Sequence, residues 1–349
     1  MLFASIVILL FVFVAVLAFV ETEKKDGALR WVYVAVGLSM VLICGFKPYG
    51  SVADIDNYLS MAEGTWGDDL VEPTFIVIAA VAKGLLGGAY AIFIIYACIG
   101  IPLKLWAISR IETYWFYPLL VWLSYFFLLQ DLTQVRASLA TAWFLVGLVY
   151  LLKGHRRAYL LSITCASFFH ISSLVLFPLV LLGNGRLTRW WKCVLMAVPM
   201  VGFAMGVLHF NFLMAFPIPF VQEKLELYEQ LRDAGTMEMD TINIFNLIYL
   251  LKMAIFYFLL WKYDVVRACG RETALLLKVF ALSLLSFSAL SFMPVLAFRI
   301  SDLFGFVELL LFPCLIYTVR PRWVGKLLLT AFLFIQLIYN IFVTQLIRL

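Results

Sequence analysis

Arg136 and His170 occupy the two most expensive placements in this 349-residue chain. Arg136 stands in the first turn of an apolar run, just after Asp131 and Gln134. His170 interrupts a second apolar run, in Phe169-His170-Ile171-Ser172-Ser173. Ionisable groups at membrane depth face a cavity or a partner, and mark functional sites by default. A guanidinium is a planar, permanently charged fork that suits phosphate oxygens. An imidazole titrates near neutrality and can accept or donate a proton. Arg299 and Asp302 repeat the arginine pattern where a later apolar run begins, and Asp54, Asp56, Tyr58 and Glu72 gather between two earlier runs. Each has a plain counterpart: the arginines snorkel to lipid headgroups, the histidine is a hydrogen-bonded structural residue, and the acids are ordinary loop acids. Against snorkelling, Lys and Arg are scarce on the side where Arg136 and Arg299 fall.

The elements that must position these groups are membrane helices. The chain is 65% hydrophobic and 13% charged, with a mean hydropathy of +1.02. That composition predicts an all-α, polytopic membrane protein forming a single membrane domain over 1–349. The apolar first twenty residues lack a basic n-region and a small-residue cleavage site, so they read as a first span. The six cysteines show no CxxC pairing, and the three histidines no HxxxH or HExxH spacing, so neither a disulfide framework nor a metal site is expected.

Apolar runs long enough to span occur at 2–20, 31–47, 89–108, 114–129, 134–152, 190–209, 242–261, 274–296, 300–319 and 323–345. Runs 73–88 and 157–183 are undecided by length, giving about 10–12 membrane segments. The linkers 21–30, 104–113, 153–157, 186–192, 261–273 and 319–326 are basic, and with Lys278 they hold 18 of the 26 Lys and Arg residues. Basic linkers read as cytoplasmic. Segments 48–72 and 210–241 carry six acids each and read as outer loops, the second with an amphipathic helix at 222–233 whose apolar side holds Leu225, Leu227, Tyr228 and Leu231. Because the linkers on both sides of 157–183 are basic, that run is expected to enter and return as two half-helices meeting near His170. Irregular backbone at such depth must line a cavity or be buried in protein. The same parity makes 73–88 re-entrant or surface-lying, with a bend at its KGLLGG ending. Asp54, Tyr58, Glu72, Asp131, Gln134, Arg136, His170, Arg299 and Asp302 then all fall on the outer side. Lys252, in the middle of 242–261, is expected to need a partner, Glu308 being one candidate.

In its motifs the chain resembles the EpsG-like, Wzy-type bacterial polysaccharide polymerases. Asp54-Ile55-Asp56-Asn57-Tyr58 is similar to the family's G-T-D-Y-x-x-Y, and Glu72-Pro73-Thr74-Phe75 to its E-P-x-F. Gln134-Val135-Arg136-Ala137 is similar to its R-Q-x-x-A turn, and 166–173 to its A-x-x-F-H-x-S-A/S signature. Val52-Ala53 stands where Gly-Thr precedes the Asp, and Ala137 where a Gln follows the Arg. The resemblance implies a fold like that of membrane glycosyltransferases of the C superfamily, in the bacterial inner membrane, with the active site on the periplasmic face. It implies transfer of a growing glycan from polyprenyl pyrophosphate to the non-reducing-end sugar of the next lipid-linked repeat. The leaving group is already activated, so no cofactor and no metal are expected. His170, Asp54, Arg136 and Arg299 are then the catalytic candidates, and Tyr58, Glu72, Gln134, Ser172, Ser173 and Asp302 the substrate-binding ones. Tyr58, Trp66, Tyr125, Phe126 and Phe127 are placed to stack on sugars. The expected partners are polyprenyl-pyrophosphate-linked oligosaccharide, membrane lipid, and a chain-length regulator and flippase of the same pathway, with no nucleic acid. A flippase or other transporter would show polar groups along its full depth or repeated halves. A membrane O-acyltransferase would need a cytoplasmic acyl donor. Neither fits polar groups collected on one side.

Overall fold

The computed structural model describes residues 1–22, 27–65, 71–210, 242–269 and 273–348. The stretch 222–233 and Trp66, Asp68 and Asp69 lie outside the described residues. The chain is an all-α multi-pass membrane protein. Among the described residues, seven helices are long and apolar enough to cross a membrane, and four more are apolar but shorter. They fall into two compact units, residues 1–183 with 308–349, and residues 184–307.

In the first unit, α1 (Leu2–Val20) is apolar all round, and only a stripe is buried: Ala4, Val7, Phe11, Val14 and Ala18. That three-to-four spacing is the helix face turned toward α6 (Phe116–Val121) and the last helix, while the rest is left for lipid. Between α1 and α6 come α2 (Gly27–Gly45), α3 (Ile55–Glu63), α4 (Pro73–Leu86) and α5 (Ile92–Ile111). After α6 the backbone continues as a π-helix, Trp122–Thr133, which ends where the Gln134 amide reaches five residues back to the Leu129 carbonyl at 2.9 Å. A new helix, α7 (Val135–Leu152), starts at once and is largely buried, packed against α5, the π-helix and α8 (Arg156–Phe169). Two glycines make the α7–α8 pairing possible. Gly154, at φ +81°, turns the chain in a region that L side chains avoid. At Gly147 a Cβ would lie 3.0 Å from the Tyr159 ring, so glycine lets the helices approach closely without displacing that ring.

His170 breaks the second run as expected. Its backbone is extended (φ −155°, ψ 114°), closing α8 and opening a 3-10 helix, Ile171–Leu181. The Tyr159 hydroxyl donates to the Leu176 carbonyl at 2.6 Å. In a straight helix those residues would stand about 25 Å apart, so the chain turns back on itself at the histidine. We expect cysteines placed at His155 and Gly183 to react with an impermeant reagent from one side of the membrane, and a cysteine at His170 from the other only. Labelling of positions 155 and 183 from opposite sides would rule out the returning hairpin. The run 73–88 is a 14-residue helix ended by Gly87, too short to cross. The unit is completed by α14 (Glu308–Leu311), a 3-10 turn Phe312–Tyr317, and α15 (Arg322–Phe342).

The second unit holds α9 (Arg189–Val207), α10 (Leu247–Trp261), α11 (Tyr263–Ala268), α12 (Ala274–Ala289) and α13 (Pro294–Gly305). There α12 packs against α9, α10 and α13, and the Lys278 ammonium lies 4.2 Å from the Trp191 ring centroid.

Two sequence readings need correction. The linker expected at 104–113 is the last two turns of α5, and Lys104 is fully buried rather than cytoplasmic. A lysine near the end of an apolar run looks the same whether it snorkels outward or pairs inward, and here it pairs. The span expected at 300–319 is three pieces instead. Pro313, in the first turn of the 3-10 segment, has no N–H to donate to an upstream carbonyl, which favours the change from α-helix there.

Candidate active site

Three separate stretches meet at Glu72. The residue sits at the N-terminal boundary of α4, where Pro73 at the first helical position costs no hydrogen bond. The Thr74 hydroxyl donates to the Phe168 carbonyl at 2.5 Å, fixing this helix start against the end of α8. One Glu72 oxygen accepts a hydrogen bond from the Arg136 guanidinium, at the start of α7. The other lies 3.4 Å from His170 Nδ1, at the break after α8. Burial alone would raise the Glu72 carboxyl, but the His170 hydrogen bond and the Arg136 charge outweigh it and hold the group at about 2. Its value in the fold lies below the ordinary one of 4.5. Its contribution to stability is therefore complete above that ordinary value and lost as pH falls through about 2.

This ionised carboxylate decides the state of its neighbours. It can only accept hydrogen bonds, so the facing Nδ1 carries the proton in the neutral imidazole, and Nε2 keeps the lone pair. Such an arrangement orients the ring and leaves Nε2 as the proton acceptor. Glu72 itself is too weak a base to take a proton from a hydroxyl near neutral pH.

Arg136 is held on an aromatic floor. Its Cζ lies 5.6 Å from the Tyr58 ring centroid and 5.9 Å from that of Phe75, and Tyr58 lies within electrostatic reach of it. Tyr58, Phe126 and Phe127 are buried. Burial leaves these three rings little face for sugar stacking, whereas Tyr125 is half-buried. Asp54 directly precedes α3, its carbonyl accepting from the Tyr58 amide at 3.1 Å, and acts electrostatically on both Tyr58 and Lys47. Gln134 forms the joint between the π-helix and α7. Ser172 is half-buried, and Ser173 is fully buried with its amide on the His170 carbonyl at 3.0 Å. The structure thus brings together Tyr58, Glu72, Arg136 and His170, with Ser173 beside the histidine. Arg299, exposed, and Asp302, half-buried, lie on α13 in the second unit.

Beneath Arg136 is a buried ionic cluster. Lys104 Nζ donates to both Asp131 oxygens at 2.9 and 3.0 Å and to the Ser138 hydroxyl at 3.0 Å. Ser138 and the Trp122 indole also donate to Asp131, at 2.6 and 2.7 Å. Asp131 was expected at the outer mouth with the other polar groups, but it is enclosed. The Lys47 ammonium, 3.7 Å from the Phe93 ring centroid, donates to the Leu132 carbonyl. These contacts tie the C-terminal end of the π-helix to α5, α7 and Lys47 just after α2, and bond its first residue, Trp122, back to Asp131. They set where α7 begins and where Arg136 stands. Only the spacing of Asp131 and Ser138 on either side of Arg136 hinted at this, and nothing local pointed to Lys104.

A family model described as the EpsG family matches residues 30–347. No curated protein and no solved structure matches the chain.

Proposed function

The chain belongs to the EpsG family, and from that premise we propose that it polymerises lipid-linked oligosaccharide repeat units at the outer face of a bacterial inner membrane. Family membership itself suggests a polysaccharide-polymerase-like function of the glycosyltransferase kind. In the proposed step, a hydroxyl oxygen of the non-reducing-end sugar attacks the anomeric carbon of the growing glycan. The carbon–oxygen bond to polyprenyl pyrophosphate breaks, and the electron pair leaves on the bridging oxygen. The hydroxyl proton goes to His170 Nε2, while Arg136 faces the negative charge that develops on the pyrophosphate.

The observation that carries this reading is Glu72 bridging Arg136 and His170. One carboxylate holds a guanidinium suited to phosphate and fixes an imidazole with its base nitrogen free. Asp54, near Tyr58 and Lys47, supports the acceptor side, and Arg299, on α13, is a second arginine suited to phosphate oxygens. Polyprenyl-pyrophosphate oligosaccharide serves as both donor and acceptor, and a flippase and a chain-length regulator act with the enzyme. Replacing His170 by Ala or Asp54 by Asn is expected to abolish glycan ladders and leave single lipid-linked repeats, at near-normal protein level. Wild-type ladders from the His170 variant would remove the assigned base, and from the Asp54 variant the role given to that carboxylate. Ladders unchanged in cells without the gene would remove the polymerase.

A further inference from the structure

The residues around Arg136 include one whose chemistry the site has not used. Tyr96, on α5, is 2% exposed, and its hydroxyl has no hydrogen-bond partner among the described residues. Arg136 Nε also has no hydrogen-bond partner among the described residues, although another nitrogen of that guanidinium donates to Glu72. The two groups share a neighbour: the Phe75 ring centroid lies 6.3 Å from that of Tyr96 and 5.9 Å from Arg136 Cζ. Tyr96 is also within electrostatic reach of Arg136, Glu72 and Tyr58. Buried polar groups are nearly always hydrogen-bonded, and an exception calls for a reason. A phenylalanine would fill the same space without the cost of an unpaired hydroxyl. Two unpaired donors next to a fixed positive charge fit an anionic oxygen.

Building on the polymerase reading above, we propose that the Tyr96 hydroxyl and Arg136 Nε together donate to a phosphate oxygen of the donor's pyrophosphate. Tyr96 is then a substrate-contacting residue, supplied by a helix that contributes no residue to the motifs resembling the family. Its hydroxyl is matched to the oxygen that gains charge as the glycan leaves, so the effect falls on turnover.

The test is Tyr96→Phe, which removes one oxygen and keeps the ring. Purified protein in nanodiscs is compared with wild type for turnover on a lipid-pyrophosphate oligosaccharide, for melting midpoint, and for the rise in midpoint caused by inorganic pyrophosphate. We expect turnover to fall on the order of tenfold to a hundredfold, with an unchanged or higher midpoint and a smaller pyrophosphate-induced rise. Wild-type turnover and an equal rise would overturn the proposal. So would a lowered midpoint, which would show the hydroxyl to be bonded within the fold. A rise on adding phosphatidylglycerol, with none from pyrophosphate, would assign these donors to a lipid headgroup and overturn it too. If the wild type makes no polymer, the polymerase reading fails by itself. The pyrophosphate comparison still decides on Tyr96: a smaller rise in the variant supports the donor role, and an equal rise removes it.

Discussion

Arg136→Lys is expected to slow polymer formation on the order of a hundredfold or more, even though it keeps the positive charge. Loss of one well-placed donor to a developing oxyanion typically costs about 3–4 kcal/mol, or a hundred- to a thousandfold in rate. The guanidinium here serves Glu72 and an aromatic floor at once, with Nε left over. A lysine ammonium is a point charge and cannot span that arrangement. Glu72 would then lose the guanidinium that fixes its position, so the imidazole it holds is disturbed as well. The measurement is turnover of a defined lipid-pyrophosphate oligosaccharide by purified protein, with binding followed separately. If Arg136 only anchors the helix to headgroups, lysine snorkels as well as arginine and full activity results. Activity lost with binding retained would place the arginine on the transition state rather than on docking. Arg299→Lys in the same assay tests the pyrophosphate role proposed for that residue.

The second large effect is on stability. Lys104→Met is expected to cost about 3–5 kcal/mol, because it leaves the Asp131 carboxylate enclosed without its counter-ion. Two donors, Ser138 and Trp122, remain on that carboxylate, but neither carries charge. The double variant Lys104→Met with Asp131→Asn removes both charges and keeps an acceptor for the Trp122 indole. It should recover most of the loss, since replacing a buried pair outright is often neutral. Denaturation in detergent reads both variants. Equal stability of the single and double variants would show that the pair does not act as a unit. Because the cluster sets the start of α7, the double variant also reports on position. Recovered stability with low turnover would mean that the pair places Arg136.

Much of this architecture was legible from residue order. Apolar runs mark the spans because a helix must satisfy its backbone internally in lipid. The break at His170 followed from two basic linkers flanking one run, and Pro73 after Glu72 marked a helix start. Arg136 and His170 stood out because charge and imidazole are costly beside hydrocarbon. What pairs with what could not be read in this way. Glu72 lies 64 residues from Arg136 and 98 from His170, and a run of sequence reports only which face a helix turns inward, not what it meets there. Lys104 looked like a linker residue because a lysine close to the end of an apolar run satisfies its charge equally well at either place. Tyr58, Phe126 and Phe127 looked available to sugars, since an aromatic ring is equally at home against lipid, sugar or another helix. Tyr96 is the plainest case. In the sequence it is one more aromatic in a span. Only the packing of α5 against α7, with Phe75 of α4 a neighbour of both Tyr96 and Arg136, encloses its hydroxyl and leaves it without a partner among the described residues.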